Sequence, residues 1–333
     1  MNTKKTIKSW LIFFRAHTAI LEAPMAALGA ALAIGHFWNI EVLKWAIFGV
    51  LYHFVGYGMN SYADWKNGYD VDDPNKNHHP LNTGDISGNT AKLVVQISTV
   101  FLIVYGIVAS GLNVEPLVVL TAMVIIGVTY NYVGKLTEHK YILVALVHSL
   151  VFVLPYVAYQ PDMSNIIWVA VLAYFVHHVF QILISGDVKD IEMDESSLIQ
   201  SLGMSVEHTE SGEKLLDVDP SVVAISYIVG ILEGVIVIAI LLFFDPPAYT
   251  IALTLAMMAW MMIEIDDIIG EGYYEREKRV AAMSRKELAG LWMIFASFTG
   301  QIGLDAWIGM VALSLAYFIP VSKVMWGGIN PDV

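Results

Sequence analysis

The stretch VLKWAIFGVLYHFVGYGMNSYAD, residues 42–64, is mostly apolar and then ends in Asn60 and Asp64. Apolar runs of similar length recur along the 333-residue chain, which is 57% hydrophobic and only 15% charged. A soluble domain carries about 25% charged residues, and a helix needs about 20 apolar residues to cross a bilayer. The sequence therefore predicts an all-α protein, a polytopic membrane helical bundle.

The apolar regions set the number of spans. They lie at roughly 10–35, 42–61, 91–111, 115–132, 142–159, 164–186, 221–244, 247–265 and 287–323. The last region is long enough for two spans if Gly300, Gly303 and Asp305 form a turn. We therefore expect nine transmembrane helices, or ten, within a single transmembrane domain over residues 1–333.

Lysine and arginine predict the orientation. If residues 1–9 are cytoplasmic, almost all Lys and Arg residues from Lys4 to Lys286 fall in cytoplasmic segments, as the positive-inside rule requires. We expect a multi-pass plasma-membrane protein whose N-terminus and Asp-rich loops are cytoplasmic. The long loops at roughly 62–90, 187–220 and 266–286 would form a cytoplasmic cap.

Charge and cysteine content exclude several classes of function. The net charge is −13 without a basic stripe, so we expect no nucleic-acid partner. The absence of cysteine excludes disulfides and thiolate zinc sites. The basic segment Met1–Ser9 leads into an apolar run without a small-residue cleavage site, and we interpret that run as a first span rather than a removed signal peptide.

Two carboxylate clusters follow the second and sixth predicted spans. The first is Asn60-Ser-Tyr-Ala-Asp64-Trp-Lys-Asn67-Gly-Tyr-Asp70-Val-Asp72-Asp73, and the second is Asp187-Val-Lys-Asp190-Ile-Glu192-Met-Asp194. Spacings of three and four residues place side chains on one helix face if each span continues as helix. Mg²⁺ prefers such oxygen ligands together with phosphate oxygens. In a membrane protein this pattern predicts a bound diphosphate with a lipid tail.

Not every carboxylate in these loops is expected to bind metal. Like charges spaced i, i+4 destabilise a bare helix, and a bound cation would offset that cost for Asp190 and Asp194. We therefore assign Asp64, Asp190 and Asp194 to the site. For Asp73, Asp85 and Glu195 we favour an ordinary solvated loop.

The motifs resemble those of one family. Asn60-x-x-x-Asp64, followed by Asp70, Asp72 and then His79-Pro80-Leu81-Asn82-Thr83-Gly84, resembles the first Asp-rich signature of the UbiA superfamily of intramembrane prenyltransferases. Asp187-x-x-Asp190-x-x-x-Asp194 resembles its second signature. Tyr130-Asn-Tyr132-Val-Gly-Lys135 resembles its Tyr…Lys element, and Arg15-Ala-His17-Thr18 resembles the beginning of its first span.

The resemblance implies Mg²⁺-dependent transfer of a polyprenyl group from a polyprenyl diphosphate to a lipophilic acceptor within the membrane, in contact with membrane lipid. It implies a set of site residues. Those expected to act in catalysis are Lys135, Tyr130 and Asp187. Those expected to bind the diphosphate are Asn60, Asn67, Lys135, Lys189 and Arg15. Those expected to bind the metal are Asn60, Asp64, Asp70, Asp72, Asp190 and Asp194.

The chain departs from the family pattern in the first signature. Gly68 stands where a third acidic residue is usual, and His79 stands where an arginine is usual. Either Asp70 or Asp72 takes the missing ligand position, and counting back from Pro80 favours Asp72. These departures indicate a less common branch of the family, such as an archaeal one.

Several alternatives stay open at this stage. The acceptor is aromatic, a quinone precursor or an isoprenoid, or else a glycerol-phosphate ether as in archaeal lipid synthesis. The scarcity of further basic residues favours the first group. A different class is an ion-coupled transporter with Glu22 and Glu233 as coupling carboxylates, since intramembrane carboxylates are functional candidates. A third class is a non-catalytic lipid-binding scaffold.

Overall fold

The computed structural model describes residues 3–69, 76–133, 139–192 and 197–327. The chain divides into two compact units. The first comprises Met1–Val133, Leu150–Asp162 and Ile308–Val333, and the second comprises Gly134–Ser149 and Met163–Trp307. The expectation of a single domain over residues 1–333 stays a prediction.

The first unit is built from long helices. They are α1 (Thr3–Phe13), α2 (Glu22–Ile34), α3 (Ile40–Asn67), α4 (Gly88–Ala109), α5 (Val114–Tyr132), the second half of α6 (Lys140–Val157) and most of α14 (Leu304–Trp326). Asn39 begins α3 by accepting the Glu41 backbone N–H at 2.9 Å. Such side-chain caps satisfy N–H groups that have no partner within the helix.

The first predicted span, roughly 10–35, is wrong as a single helix. α1 ends at Phe13, a 3₁₀ turn covers Ala16–Thr18, and α2 begins only at Glu22. Arg15 has a left-handed backbone conformation, with φ of 46° and ψ of 46°. A residue with a Cβ adopts this conformation only at a steric cost, and here it turns the chain between the two helices.

Small residues let the helices of the first unit approach closely. A Cβ on Gly49 of α3 would lie 2.5 Å from the Glu22 carbonyl oxygen of α2. A Cβ on Gly29 of α2 would lie 2.2 Å from the Phe152 carbonyl oxygen of α6. Close backbone approach through small residues is a common way in which membrane helices pack.

The second unit combines helices with a small sheet. It contains α7 (Asn165–Phe180), a π-helix (Gln181–Gly186), α8 (Asp187–Lys189), α9 (Leu198–Ser201), α10 (Pro220–Leu241), α11 (Ala248–Ile269), α12 (Arg276–Ser297) and α13 (Thr299–Ile302). α11 packs along α12.

The sheet lies in segments predicted as cytoplasmic loops. β1 (Met204–His208) pairs antiparallel with β2 (Lys214–Val218), and Met204 lies opposite Val218. β3 (Gly272–Tyr273) adds to the other edge of β2, where Leu215 lies opposite Tyr273. The loop of residues 187–220 is therefore largely structured, because a hairpin connects α9 to α10.

Nine helices of the described residues are long and apolar enough to cross a membrane. They are Ala16–Ile34, Ile40–Asn67, Gly88–Ala109, Val114–Tyr132, Lys140–Val157, Asn165–Lys189, Pro220–Leu241, Ala248–Ile269 and Leu304–Trp326. The predicted all-α, polytopic membrane fold is confirmed, and the chain is a multi-pass membrane protein.

The predicted loop of residues 266–286 is wrong. α11 continues to Ile269 and α12 begins at Arg276, so much of this segment is helix. Lys286, which the sequence places in this loop, lies in α12 with a side chain that is 0% exposed, and its cytoplasmic location stays a prediction. The last apolar region divides near Gly303, whose φ of 95° favours glycine, as the sequence allowed.

Candidate active site

The last two turns of α3 carry the first acidic cluster. Asn60 and Asp64 are one turn apart on one helix face, and Asp64 is only 9% exposed. Ser61 between them donates a hydrogen bond to the Phe13 carbonyl oxygen at 3.0 Å, which ties α3 to α1. Asn67 is the last residue of α3 and is exposed. The predicted face from Asn60 to Asn67 is therefore formed.

Gly68 ends this helix, which explains its departure from the family pattern. Its φ is 83°, in the left-handed region, and its backbone N–H bonds back to the Asp64 and Trp65 carbonyl oxygens. Glycine is the usual residue at such a helix end because it has no Cβ to clash. The two residues predicted to supply the missing ligand, Asp70 and Asp72, lie outside the described residues.

Arg15 approaches the same part of α3. Its guanidinium carbon lies 5.2 Å from the centroid of the Tyr57 ring, and Tyr57 precedes Asn60 by about one turn of α3. The His53 Nε2 atom lies 3.1 Å from the Arg15 carbonyl oxygen and helps hold the left-handed turn in place. Arg15 thus lies against the part of α3 that precedes Asn60, and its role in diphosphate binding stays a prediction.

The predicted Tyr…Lys element is described only in part. Tyr130 is half-buried near the end of α5, which packs against α3. Lys135 lies outside the described residues. The roles of Tyr130 and Lys135 stay predictions.

The second cluster follows a π-helix rather than a continuous α-helix. α7 passes into the π-helix Gln181–Gly186, then into α8, which is a single turn ending at Lys189. The expectation that one helix continues from the sixth span through Asp194 is wrong, because Asp190 leaves helical geometry with φ of −104° and ψ of 14°. Asp187 begins α8, and Asp190 follows the last residue of this single turn. Asp194 lies outside the described residues.

Three cations lie beside these carboxylates. The Lys140 Nζ atom is 3.4 Å from Asp187 Oδ1. The Lys189 Nζ atom is 3.7 Å from Asp190 Oδ2, and Arg276 Nη2 is 3.7 Å from Asp190 Oδ1. Lys189 was predicted from the sequence, whereas Lys140 and Arg276 were missed. Both belong to polar segments between predicted spans, and this position is the one feature of the sequence that points to them.

His79 replaces the arginine that is usual in the family pattern. It is buried in the described loop before α4, and burial, with a smaller effect of Lys76 and Arg15, lowers the pKa of His79 to about 3. The imidazole is therefore neutral at pH 7, and His79 does not supply the positive charge of an arginine.

Asp85 is an ion-pair partner. Lys5 Nζ lies 2.7 Å from its carboxylate, and this hydrogen bond is the main reason why the pKa of Asp85 is lowered. The interpretation of Asp85 as a loop residue outside the site stays a prediction. Asp73 and Glu195, which we interpreted in the same way, lie outside the described residues.

The chemistry of the site residues fits a hard divalent cation. Asn60, Asp64, Asp187 and Asp190 offer only amide and carboxylate oxygens, which are the ligands that Mg²⁺ prefers. Among the residues that the structure describes, no group of three His, Cys, Asp or Glu residues is arranged to hold a metal. Mg²⁺ commonly takes one or two carboxylates and completes its shell with phosphate oxygens and water. The described carboxylates fit that mode of binding.

The fold and these helix ends define a class: a multi-pass helical membrane protein whose apolar helices present carboxylates beside lysine and arginine. The chain belongs to the UbiA prenyltransferase family, whose model matches residues 23–267. The match spans both acidic clusters and confirms the resemblance read from the motifs. The protein is therefore a membrane prenyltransferase rather than an ion-coupled transporter or a non-catalytic scaffold.

Solved structures share the fold. A digeranylgeranylglyceryl phosphate synthase is 16% identical, with a TM-score of 0.61, over 90% of this chain and 100% of that one. A UbiA homologue from Aeropyrum pernix K1 is 17% identical, with a TM-score of 0.60, over 90% and 98%. A UbiA homologue from Archaeoglobus fulgidus, bound to GPP and Mg²⁺, is 15% identical, with a TM-score of 0.62, over 87% and 98%. No curated protein matches the chain in sequence.

Proposed function

We propose that this protein transfers a polyprenyl group from a polyprenyl diphosphate to a lipophilic acceptor, with Mg²⁺ as cofactor. The observation that carries the proposal is the pair of acidic helix ends in a chain of the UbiA family. One lies at the end of α3, with Asn60 and Asp64, and the other lies at α8, with Asp187 and Asp190. Within each unit an arginine or lysine lies near the carboxylates.

The metal ligands follow from the carboxylate positions and the family motif. Asn60, Asp64 and Asp190 hold Mg²⁺ directly or through water, together with Asp194 and with Asp70 or Asp72. When bound, Mg²⁺ neutralises the charge that develops on the departing diphosphate. The A. fulgidus homologue that binds GPP and Mg²⁺ supports the choice of metal and donor.

Three cationic residues and one amide orient the donor. Arg15, Lys189, Lys135 and Asn67 bind diphosphate oxygens, and Arg15 reaches them from the turn between α1 and α2. As the bond to the allylic carbon breaks, these groups stabilise the leaving anion through charge-assisted hydrogen bonds. Tyr130 and Asp187 act beside the reacting carbon, where the Tyr130 ring face favours a developing positive charge.

The acceptor is apolar or aromatic in this proposal. The described cations of the second cluster, Lys140, Lys189 and Arg276, all lie within 4 Å of Asp187 or Asp190, so they already serve the diphosphate half of the reaction. A glycerol-phosphate ether acceptor would need additional positive charge. The likeness to a digeranylgeranylglyceryl phosphate synthase is one of fold and does not favour the ether.

An acceptor screen tests the proposal. Purified protein in detergent receives Mg²⁺, a radiolabelled prenyl diphosphate and, in turn, an aromatic acid, a quinone precursor, an isoprenoid and a glycerol-phosphate ether. We expect a labelled lipophilic product with one of the first three, formed together with diphosphate and abolished by EDTA. Product formation that is unaffected by EDTA would refute the metal requirement. Product with the ether alone would overturn the choice of acceptor.

A further inference from the structure

A charged triad is buried inside the second unit. The Lys286 Nζ atom donates to Glu233 Oε2 at 2.8 Å, and the other carboxylate oxygen, Oε1, lies 2.8 Å from His177 Nδ1. All three side chains are 0% exposed. A buried charge is costly unless it is paired. These buried charges do not contribute to surface solubility, so the network has another role.

The two Glu233 oxygens face different partners. Oε2 accepts from Lys286, and Oε1 faces His177 Nδ1. With His177 neutral and protonated on Nδ1, the triad is charge-balanced, with one ammonium and one carboxylate. The Lys286 Nζ atom also lies 4.2 Å from the centroid of the Phe180 ring, a distance at which the ring face stabilises a cation. Phe180 is the last residue of α7.

α12 closes over the triad at Gly290. A Cβ at this position would lie 2.5 Å from both Glu233 Oε1 and His177 Nδ1. Only glycine therefore lets the α12 backbone pass so close to the pair. This close approach fixes the position of α12 against α7 at Gly290.

Residues 274–290, which include most of α12, also contact other parts of the segment 177–190. Gln181 Nε2 donates to Glu287 Oε2 of α12 at 3.1 Å. The Tyr274 hydroxyl, just before α12, lies 3.2 Å from the Val188 carbonyl oxygen and 3.3 Å from that of Lys189. Arg276 approaches Asp190 at 3.7 Å. Residues 274–290 thus support the segment 177–190 along its whole length.

The supported segment contains the π-helix Gln181–Gly186. A π-helix is rare and is frequently found at functional sites, and uncommon backbone geometry persists where its surroundings determine it. Asp187 follows the π-helix directly. Any change in the helical phase of residues 181–186 would rotate the carboxylates of Asp187 and Asp190 away from their present directions.

We propose that Lys286, Glu233 and His177 are positioning residues that fix the π-helix, and with it the directions in which Asp187 and Asp190 present their carboxylates to the metal-bound diphosphate. The inference rests on the proposed function, because it assigns a purpose to the network that supports the second acidic cluster. An ion pair suits this role because it holds the helices that carry it in one alignment. Apolar side chains would allow these helices to slide past one another.

A double variant separates positioning from stability. Lys286→Met or Glu233→Gln alone leaves an unpaired buried polar group, and each should lower the melting temperature. The combined variant Glu233→Gln/Lys286→Met leaves no unpaired charge and should melt above Glu233→Gln, which leaves the Lys286 ammonium buried without its carboxylate. We expect it to need about tenfold more Mg²⁺ for half-maximal activity, as is typical when groups that orient metal ligands are lost. The KM for the acceptor should be unchanged.

Two further variants make the result decisive. Tyr274→Phe removes only the hydroxyl that contacts the Val188 and Lys189 carbonyl oxygens, so it keeps the fold. It should also raise the Mg²⁺ requirement, by a smaller factor than the double variant does. Thr250→Val/Thr299→Val is the matched control, since these buried hydroxyls of the second unit are hydrogen-bonded to each other at 2.7 Å, away from residues 177–190. The control should leave the Mg²⁺ requirement at the wild-type value.

Binding of Mn²⁺ with inorganic diphosphate, followed by electron paramagnetic resonance, gives a readout that needs no acceptor. Weaker Mn²⁺ binding in the double variant and in Tyr274→Phe, with the control at the wild-type value, supports positioning. Wild-type binding in both variants overturns it, as does the absence of Mn²⁺ binding to the wild type. A wild type that binds Mn²⁺ and diphosphate but transfers no prenyl group refutes the proposed function alone.

Discussion

At the scale of single residues, the two departures from the family motif have local structural reasons. Gly68 stands at the left-handed end of α3, a conformation that glycine adopts without steric cost. His79 is buried and neutral where an arginine is usual. We propose that Arg15, which lies over the Tyr57 ring, supplies positive charge near the first cluster.

The low pKa of His79 predicts a pH-dependent stability. The unfolded chain binds a proton at this residue below about pH 6.5, but the folded protein does so only near pH 3. Between these values the unfolded state binds more protons, so stability falls as the pH is lowered, by up to about 1.4 kcal/mol per pH unit. We expect the melting temperature to fall more between pH 7.5 and pH 5 in the wild type than in His79→Gln. Equal falls would contradict the buried, neutral histidine.

Gly68→Ala tests the helix end. The Cβ would meet nothing within 4 Å, so the cost is that of the left-handed backbone alone, about 1–2 kcal/mol. Gly68→Asn is the matched control, because asparagine tolerates this conformation. We expect the alanine variant to melt at a lower temperature than the asparagine variant. If both melt at the same temperature, the φ of Gly68 is not what selects glycine.

At the scale of elements, the π-helix Gln181–Gly186 sets the phase of the second cluster. Deletion of Leu183 would remove one residue from this turn and rotate Asp187 and Asp190 by about 100° around the helix axis. We expect the deletion variant to insert into the membrane but to lose Mg²⁺-dependent transfer.

Leu183→Ala is the control for this deletion. It keeps the length of the segment while it removes most of a side chain that is 8% exposed. We expect it to lower stability and to retain transfer with an ordinary Mg²⁺ requirement. Equal losses of transfer in both variants would show that packing at Leu183 matters rather than the helical phase.

The sequence predicted most helices because apolar runs must bury their backbone in lipid as helix. Its misses arise where the signal is not local. No residue type predicts the left-handed Arg15 or the π-helix. The burial of Lys286 was missed because its partner, Glu233, lies 53 residues away. The hairpin Met204–Val218 was missed because its polar sequence is typical of a loop.

The candidate site was predictable to a similar extent. The motif spacing gave Asn60 and Asp64 on one face, and this face is present in α3. The supporting cations Lys140 and Arg276 come from distant parts of the chain, so spacing could not reveal them. The ligands Asp70, Asp72 and Asp194 stay predictions, because they lie outside the described residues.

At the scale of the whole molecule, the proposed orientation is open to direct labelling, since the chain has no cysteine. We propose that the N-terminus and the acidic loops are cytoplasmic in the plasma membrane. Asp162→Cys, in the exposed loop between α6 and α7, should then react with a membrane-impermeant maleimide in intact cells. Asp217→Cys, exposed on β2, should react only after permeabilisation. The reverse pattern would contradict the orientation.

The central claim is that Asp64 and Asp190 are each required for Mg²⁺-dependent prenyl transfer. The most direct measurement compares diphosphate release and prenylated product in the wild type, Asp64→Ala and Asp190→Ala. The variants Asp162→Ala and Asp217→Ala serve as controls, because each removes an exposed carboxylate, the first in the first unit and the second in the second unit. We predict that both site variants insert into the membrane and lose transfer, while both controls retain it. Full transfer in either Asp64→Ala or Asp190→Ala would contradict the account.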